Sequence, residues 1–227
     1  MGERKRLPLN RSKLLNGFER ARGGVEVVIS MKAFLFLIGT FAMWTSVKGQ
    51  IFELVKDADY QNIVFITDSI LKVDSNDCFA RGTRDNALYH LSRYAEAIDG
   101  INFTLDNCKQ FDTETFTMRA RCYQKMKDYR AAIKDFTKAI SLAGADYNTG
   151  NACFQIGFCY AELGEYEAAI DWYTKATARE PTEGINYYNR ALIYHKVKNN
   201  KAACNDLKQA VLLGLKSAQS ILDQLCK

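Results

Sequence analysis

The chain has 227 residues, 48% of them hydrophobic and 25% charged, with a formal net charge of +5 and only 2 prolines. That composition suits one or two globular domains and excludes collagen-like, low-complexity and wholly disordered chains, and so few prolines permit long helices. The charge is lopsided: residues 1–49 carry nine basic and three acidic side chains, leaving 22 basic and 23 acidic over 50–227, so the body has no basic excess with which to hold nucleic acid.

Residues 1–30 are basic, contain Gly23-Gly24 and show no sustained apolar period. They are expected to be an over-called N-terminal extension, with translation starting at Met31. Met31-Lys32 opens a positive segment, Ala33 to Trp44 runs twelve residues without a charge, and small Val47 and Gly49 precede Gln50. Positive, apolar, then small is the order of a secretory signal, so 31–49 is expected to be a cleavable signal peptide. Twelve helical residues reach about 18 Å against a bilayer core of about 30 Å, so no stable membrane span is expected after cleavage. The first cysteine is Cys78, too far from the cut to carry a lipid there.

Self-comparison of the body finds a repeat. Tyr60, Tyr94, Tyr129 and Tyr166 each precede a similar apolar run, with Asn200 at the equivalent place, spaced 34, 35, 37 and 34 residues apart. Three residues on stand Ile63, Ala97, Ala132, Ala169 and Ala203, and seven on stand Thr67, Ile101, Phe136, Tyr173 and Leu207. Offsets of three, four, seven and ten trace one helical face. A second helical face precedes each: Phe116, Ala120 and Tyr123; Cys153, Ile156, Gly157 and Tyr160; Tyr187, Ala191 and Tyr194. Short turns such as Leu163-Gly164-Glu165 join the two. Each unit is an αα-hairpin too small to bury its own apolar face, and stacking closes the core.

The pattern resembles the tetratricopeptide repeat family over about residues 50–217. The best copy is Gly150–Glu183, whose Gly157, Tyr160, Gly164, Tyr166, Ala169, Tyr173, Ala176 and Pro181 match the family's small and aromatic positions. The resemblance implies an all-α, right-handed superhelical solenoid of antiparallel helix hairpins with a C-terminal capping helix. The repeats fall at 50–77 (partial), 78–112, 113–149, 150–183 and 184–217. The cap occupies 218–227, its helix read from Ser217 to Leu225. The copy from Cys78 departs from the pattern: Asp85 stands where Gly or Ala is usual and Thr104 where Ala is usual, so irregular packing is expected there. The 142–150 junction is longer than the period, with Gly144 as a helix stop.

Seven cysteines lie in the body. Export permits disulfides. Antiparallel helices would bring Cys204, near the start of one helix, to Cys226 at the end of the cap, and Cys78, at the start of one helix, to Cys108 at the end of its partner. Cys122, Cys153 and Cys159 fall on interior faces, where a thiol acts as a small hydrophobe. The alternative, seven reduced core cysteines, stays open.

No HExxH, GxGxxG, Walker lysine loop or GxSxG occurs. With no CxxC pair and isolated His90 and His195, no metal site and no cofactor are expected. The expected class is a non-enzyme. In the family the first helices of successive repeats line a concave groove. That implies a protein-binding surface here at Arg121, Gln124, Phe154, Gln155, Phe158, Tyr188, Asn189, Leu192 and His195, with Phe79, Asn86, Tyr89 and His90 extending it. Phe154, Phe158, Tyr188 and Leu192 stand at matching positions outside the packing set, where aromatic anchors serve binding. The expected role is an exported scaffold that docks a protein or peptide segment, in the periplasm or envelope of a Gram-negative bacterium, with no small-molecule substrate. The alternatives are a thiol-based enzyme using exposed cysteines and a self-assembling structural repeat, which would be an oligomer. The Asn102-Phe103-Thr104 sequon matters only in a eukaryotic secretory route.

Overall fold

A computed structural model describes residues 59–108, 113–143 and 149–226. The leader at 1–30 and 31–49, the start of the first repeat, and Gly144 lie outside the described residues. The described residues form ten helices and no strand: α1 Tyr60–Val73, α2 Cys78–His90, α3 Tyr94–Asn107, α4 Thr113–Lys125, α5 Tyr129–Leu142, α6 Gly150–Glu162, α7 Tyr166–Arg179, α8 Gly184–Lys196, α9 Asn200–Leu212 and α10 Ser217–Leu225. The chain divides into two compact units after Ser69. In the first, Asp59 opens α1 by accepting from the backbone and side-chain nitrogens of Asn62, and Ile63, Val64 and Thr67 are buried. In the second, every helix from α2 to α9 packs on its successor, as in stacked helix hairpins.

Local chemistry repeats with the hairpin. Asp77, Asp128 and Asn199 cap α2, α5 and α9, each side chain accepting from the backbone N–H three residues on. Such a bond satisfies a donor that the helix itself cannot. At the bend between paired helices one residue takes left-handed backbone: Ser92, Lys127, Gly164 and Lys198, with φ of 62°, 63°, 76° and 63°. The next N–H then reaches back five residues, from Arg93 to Leu88, Asp128 to Tyr123, Glu165 to Tyr160 and Asn199 to Tyr194, at 2.8–2.9 Å. This is a Schellman closure repeated four times.

The cores follow the small-and-large pattern. Ala97, Ala132, Ala169 and Ala203 are fully buried where paired helices meet, and Ile101, Phe136, Tyr173 and Leu207 fill the space beside them. Burying one such large side chain contributes about 1.5–3 kcal/mol. In the fourth repeat a Cβ at Gly157 would stand 2.9 Å from the Tyr173 ring, so the larger aromatic requires the missing side chain. At the C-terminus, α10 lays Ala218, Ile221, Leu222 and Leu225 against Leu207 and Ala210. The outward Gln219, Ser220, Asp223 and Gln224 are exposed, which ends the stack on a polar face.

Two disulfides tie hairpin ends. Cys78, the first residue of α2, joins Cys108, the residue after α3, with Cα atoms 6.1 Å apart. Cys204 of α9 joins Cys226, the residue after α10, with Cα atoms 5.7 Å apart.

Candidate functional site

The nine main residues of the expected binding surface lie on α4, α6 and α8, the first helices of three consecutive hairpins, and the extending Phe79, Asn86, Tyr89 and His90 lie on α2. Gln124 of α4 and Gln155 of α6 meet directly: Gln124 Nε2 donates to Gln155 Oε1 at 2.9 Å and lies 3.6 Å from Cys159 Sγ. A polar side-chain bond thus spans two repeats on this face. Arg121, one turn before Gln124, is half-buried and makes no ion pair among the described residues.

The aromatic residues are half-buried and take part in packing. Phe154 lies 5.6 Å from Tyr173 between ring centres and packs, with Ala161, on the cluster of Ala169, Tyr173 and Ile193. Phe158 meets Tyr129 edge-on at 6.4 Å and rests on the core that contains Ile156 and Phe136. Tyr188 packs on the core of Ala191 and Leu207. Each therefore has one side packed on the core and one side open to solvent. Leu192 is half-buried beside them. Asn189 donates from Nδ2 to the Ile185 carbonyl at 2.9 Å, and exposed His195 Nδ1 lies 3.0 Å from Asn200 Oδ1. The structure therefore joins Gln124 to Gln155, while His195 and Asn189 pair with residues of their own hairpin. Phe79 on α2 and Ile185 on α8 occupy equivalent second positions of their repeats, and both are exposed.

The remaining thiols are buried. Cys122, Cys153 and Cys159 are free. Burial pushes Cys122 and Cys159 up to about 11, and raises Cys153. Thiols held protonated at neutral pH are poor nucleophiles. No group of His, Cys, Asp or Glu arranged to hold a metal occurs among the described residues, and no helix among them is long and apolar enough to cross a membrane.

Behind the candidate face, two arginine clamps hold the hairpins together. Arg119 of α4 gives Nε and Nη2 to Asp135 of α5 at 2.6 and 2.8 Å, and Nη1 to Asn102 of α3 at 2.6 Å. Arg190 of α8 gives Nε and Nη2 to Asp206 of α9 at 2.7 and 2.8 Å, and Nη1 to Thr174 and Thr177 of α7. Each guanidinium binds one carboxylate through two bonds and reaches the preceding repeat with the third nitrogen. The contact with Asn102 occupies the side-chain oxygen of the sequon. Periodicity of apolar residues does not find these clamps; the shared separation of 16 between Arg119 and Asp135 and between Arg190 and Asp206 would have.

Comparison with known proteins gives the same architecture. Residues 112–179 and 186–213 match models of the tetratricopeptide repeat. No curated protein matches the chain significantly. Among solved structures, the chain is similar to YrrB, described as a TPR protein with an unusual peptide-binding site. Their identity is 22%, covering 73% of this chain and 84% of that one at a TM-score of 0.62. It is also similar to MamA, at 20% identity over 74% of this chain and 95% of that one with a TM-score of 0.65. MamA from Desulfovibrio magneticus RS-1 superposes at a TM-score of 0.68, with 16% identity over 74% and 93% of the two chains.

Proposed function

We propose that the chain, which carries tetratricopeptide repeats over residues 112–179 and 186–213, is a scaffold that docks a segment of another protein along the first helices of its repeats. The observation that carries this is the continuity of the face from α4 to α6. Gln124 and Gln155 bond across it, with Phe158 one helical turn from Gln155 and packed on the core behind. Half-buried aromatics held from behind suit an apolar side chain of a partner, because little side-chain entropy remains to be lost on binding. The amides beside them suit the backbone of an extended segment. The raised thiols favour this reading over thiol chemistry.

The test is site-directed photocrosslinking. A photoreactive residue at Gln155 or Asn189 should give one common protein adduct from a native extract, and the same residue at exposed Lys208 of α9 should not. Adducts at Lys208 with none at the other two positions would move the binding surface to the other side of the hairpins.

We place this scaffold outside the cytoplasm, in the periplasm or envelope of a Gram-negative bacterium. The support is the order of charge, apolar run and small residues over 31–49, and the two disulfides, which persist in an oxidising compartment. N-terminal sequencing of the native product should begin at Gln50; a product retaining 31–49 would overturn the export reading.

A further inference from the structure

The clamp positions carry a pattern that one repeat breaks. In the third and fifth repeats the carboxylate stands on the second helix, as Asp135 and Asp206, and meets an arginine of the first. In the fourth, Ile156 and Trp172 hold the two places and pack in one apolar core. The second repeat has Arg84 at the arginine place and Gly100 at the aspartate place. Its carboxylate has moved to α2, one residue beyond the arginine, as Asp85.

That carboxylate fills the volume that Gly100 leaves free: a Cβ built on Gly100 would collide with the Asp85 carboxyl group. Asp85 is 2% exposed, and neither of its oxygens has a hydrogen-bond partner among the described residues. The charged groups acting on it belong to its own helix, Arg84 and Arg81. Arg81 donates from Nη2 to the Ser75 carbonyl at 2.6 Å and stacks 3.7 Å above the Phe103 ring while its Nε is buried without a partner among the described residues, and the charge of Arg84 acts also on Glu96. From α3 the carboxylate faces Gly100, and from α4 the neutral thiol of Cys122, itself raised by burial and by Asp85. An ionised carboxylate in this place lacks the bidentate partner that its two counterparts have, and burying such a charge is costly.

We propose that the α2–α3 hairpin is a pH-responsive unit of the array. A proton on Asp85 closes it, loss of that proton loosens it, and the Cys78–Cys108 disulfide limits how far its helices part. Burial raises the Asp85 carboxyl from 3.8 to about 7 in the closed hairpin. The closed form holds the proton more tightly than the open form. Its advantage is complete below pH 3.8, declines as pH rises towards 7, and is constant above. Within that window the closing equilibrium falls by up to about tenfold per pH unit.

Hydrogen exchange of the full chain with its disulfides intact tests this, read as protection corrected for the intrinsic pH dependence. Peptides of α2 and α3 should lose up to about tenfold in protection per pH unit between pH 5 and 7, while α8 and α9, joined by Arg190–Asp206, should not follow. In Asp85→Asn the slope should vanish. A flat wild-type profile, or a slope that persists in the variant, overturns the proposal. Should the variant fail to fold, carboxyl-carbon NMR of wild-type protein labelled at aspartate decides: one titration midpoint near 7 supports the proposal, and midpoints all below 5 overturn it.

Discussion

Ser92, Lys127 and Lys198 place ordinary side chains in left-handed backbone, where the fourth repeat uses Gly164. For a residue with a Cβ this conformation costs about 1–2 kcal/mol, whereas glycine costs about 0.4–1 kcal/mol through the freedom it adds to the unfolded chain. Lys127→Gly and Lys198→Gly should therefore each stabilise the protein by up to about 1 kcal/mol, and Gly164→Ala should destabilise it by a similar amount. Urea midpoints at constant slope would show both signs. A second expectation concerns the thiols. Because burial raises Cys122, Cys153 and Cys159, iodoacetamide at pH 7.5 should leave all three unmodified in the native protein and label all three after denaturation without reduction. Rapid native labelling of any of them would revive a thiol-based activity.

At the scale of helices, the clamps settle how much one side chain holds. Asp135 is almost wholly buried and its arginine mostly so, so Arg119→Met leaves a carboxylate without its partner and should cost about 3 kcal/mol. Arg119→Met with Asp135→Leu removes both charges and should recover most of that loss, since the fourth repeat already uses Ile156 and Trp172 in these places. A double-mutant cycle measured by chemical unfolding reports the difference. The helices themselves were legible because each apolar face recurs at nearly fixed spacing, and the tyrosines that open α1, α3, α5 and α7 mark their starts directly. The clamps were not, because Arg119 and Asp135 each look like solvated surface residues in a list of helical positions. Asp85 and Gly100 read separately as a departure from the pattern and an ordinary glycine; their meaning lies in a volume that they share only once α2 and α3 are packed together. The candidate face was legible as a set of positions. Its aromatics are more deeply packed than their spacing implies, because Phe154 and Phe158 also serve the cores behind them.

In a stack where each hairpin is held by its neighbours, stability is a sum of local terms and the ends are the weak points. The end after α9 is covered by a helix of nine residues whose buried contribution centres on Ala218. So short a helix is marginal by itself, and the Cys204–Cys226 bond restricts its escape. The bond closes a loop with a sequence separation of 22, which the chain-entropy model values at about 3 kcal/mol. Cys204→Ser with Cys226→Ser should therefore lower stability by about that amount. The loss should also be local. Hydrogen exchange of α9 and α10 should accelerate, because departure of the cap exposes Leu207 and Ala210, while α4 and α5, two hairpins away and clamped by Arg119, should keep their protection. Uniform acceleration from α4 to α10 would instead mean that these repeats fold as one cooperative block, with the cap bond acting on all of them equally.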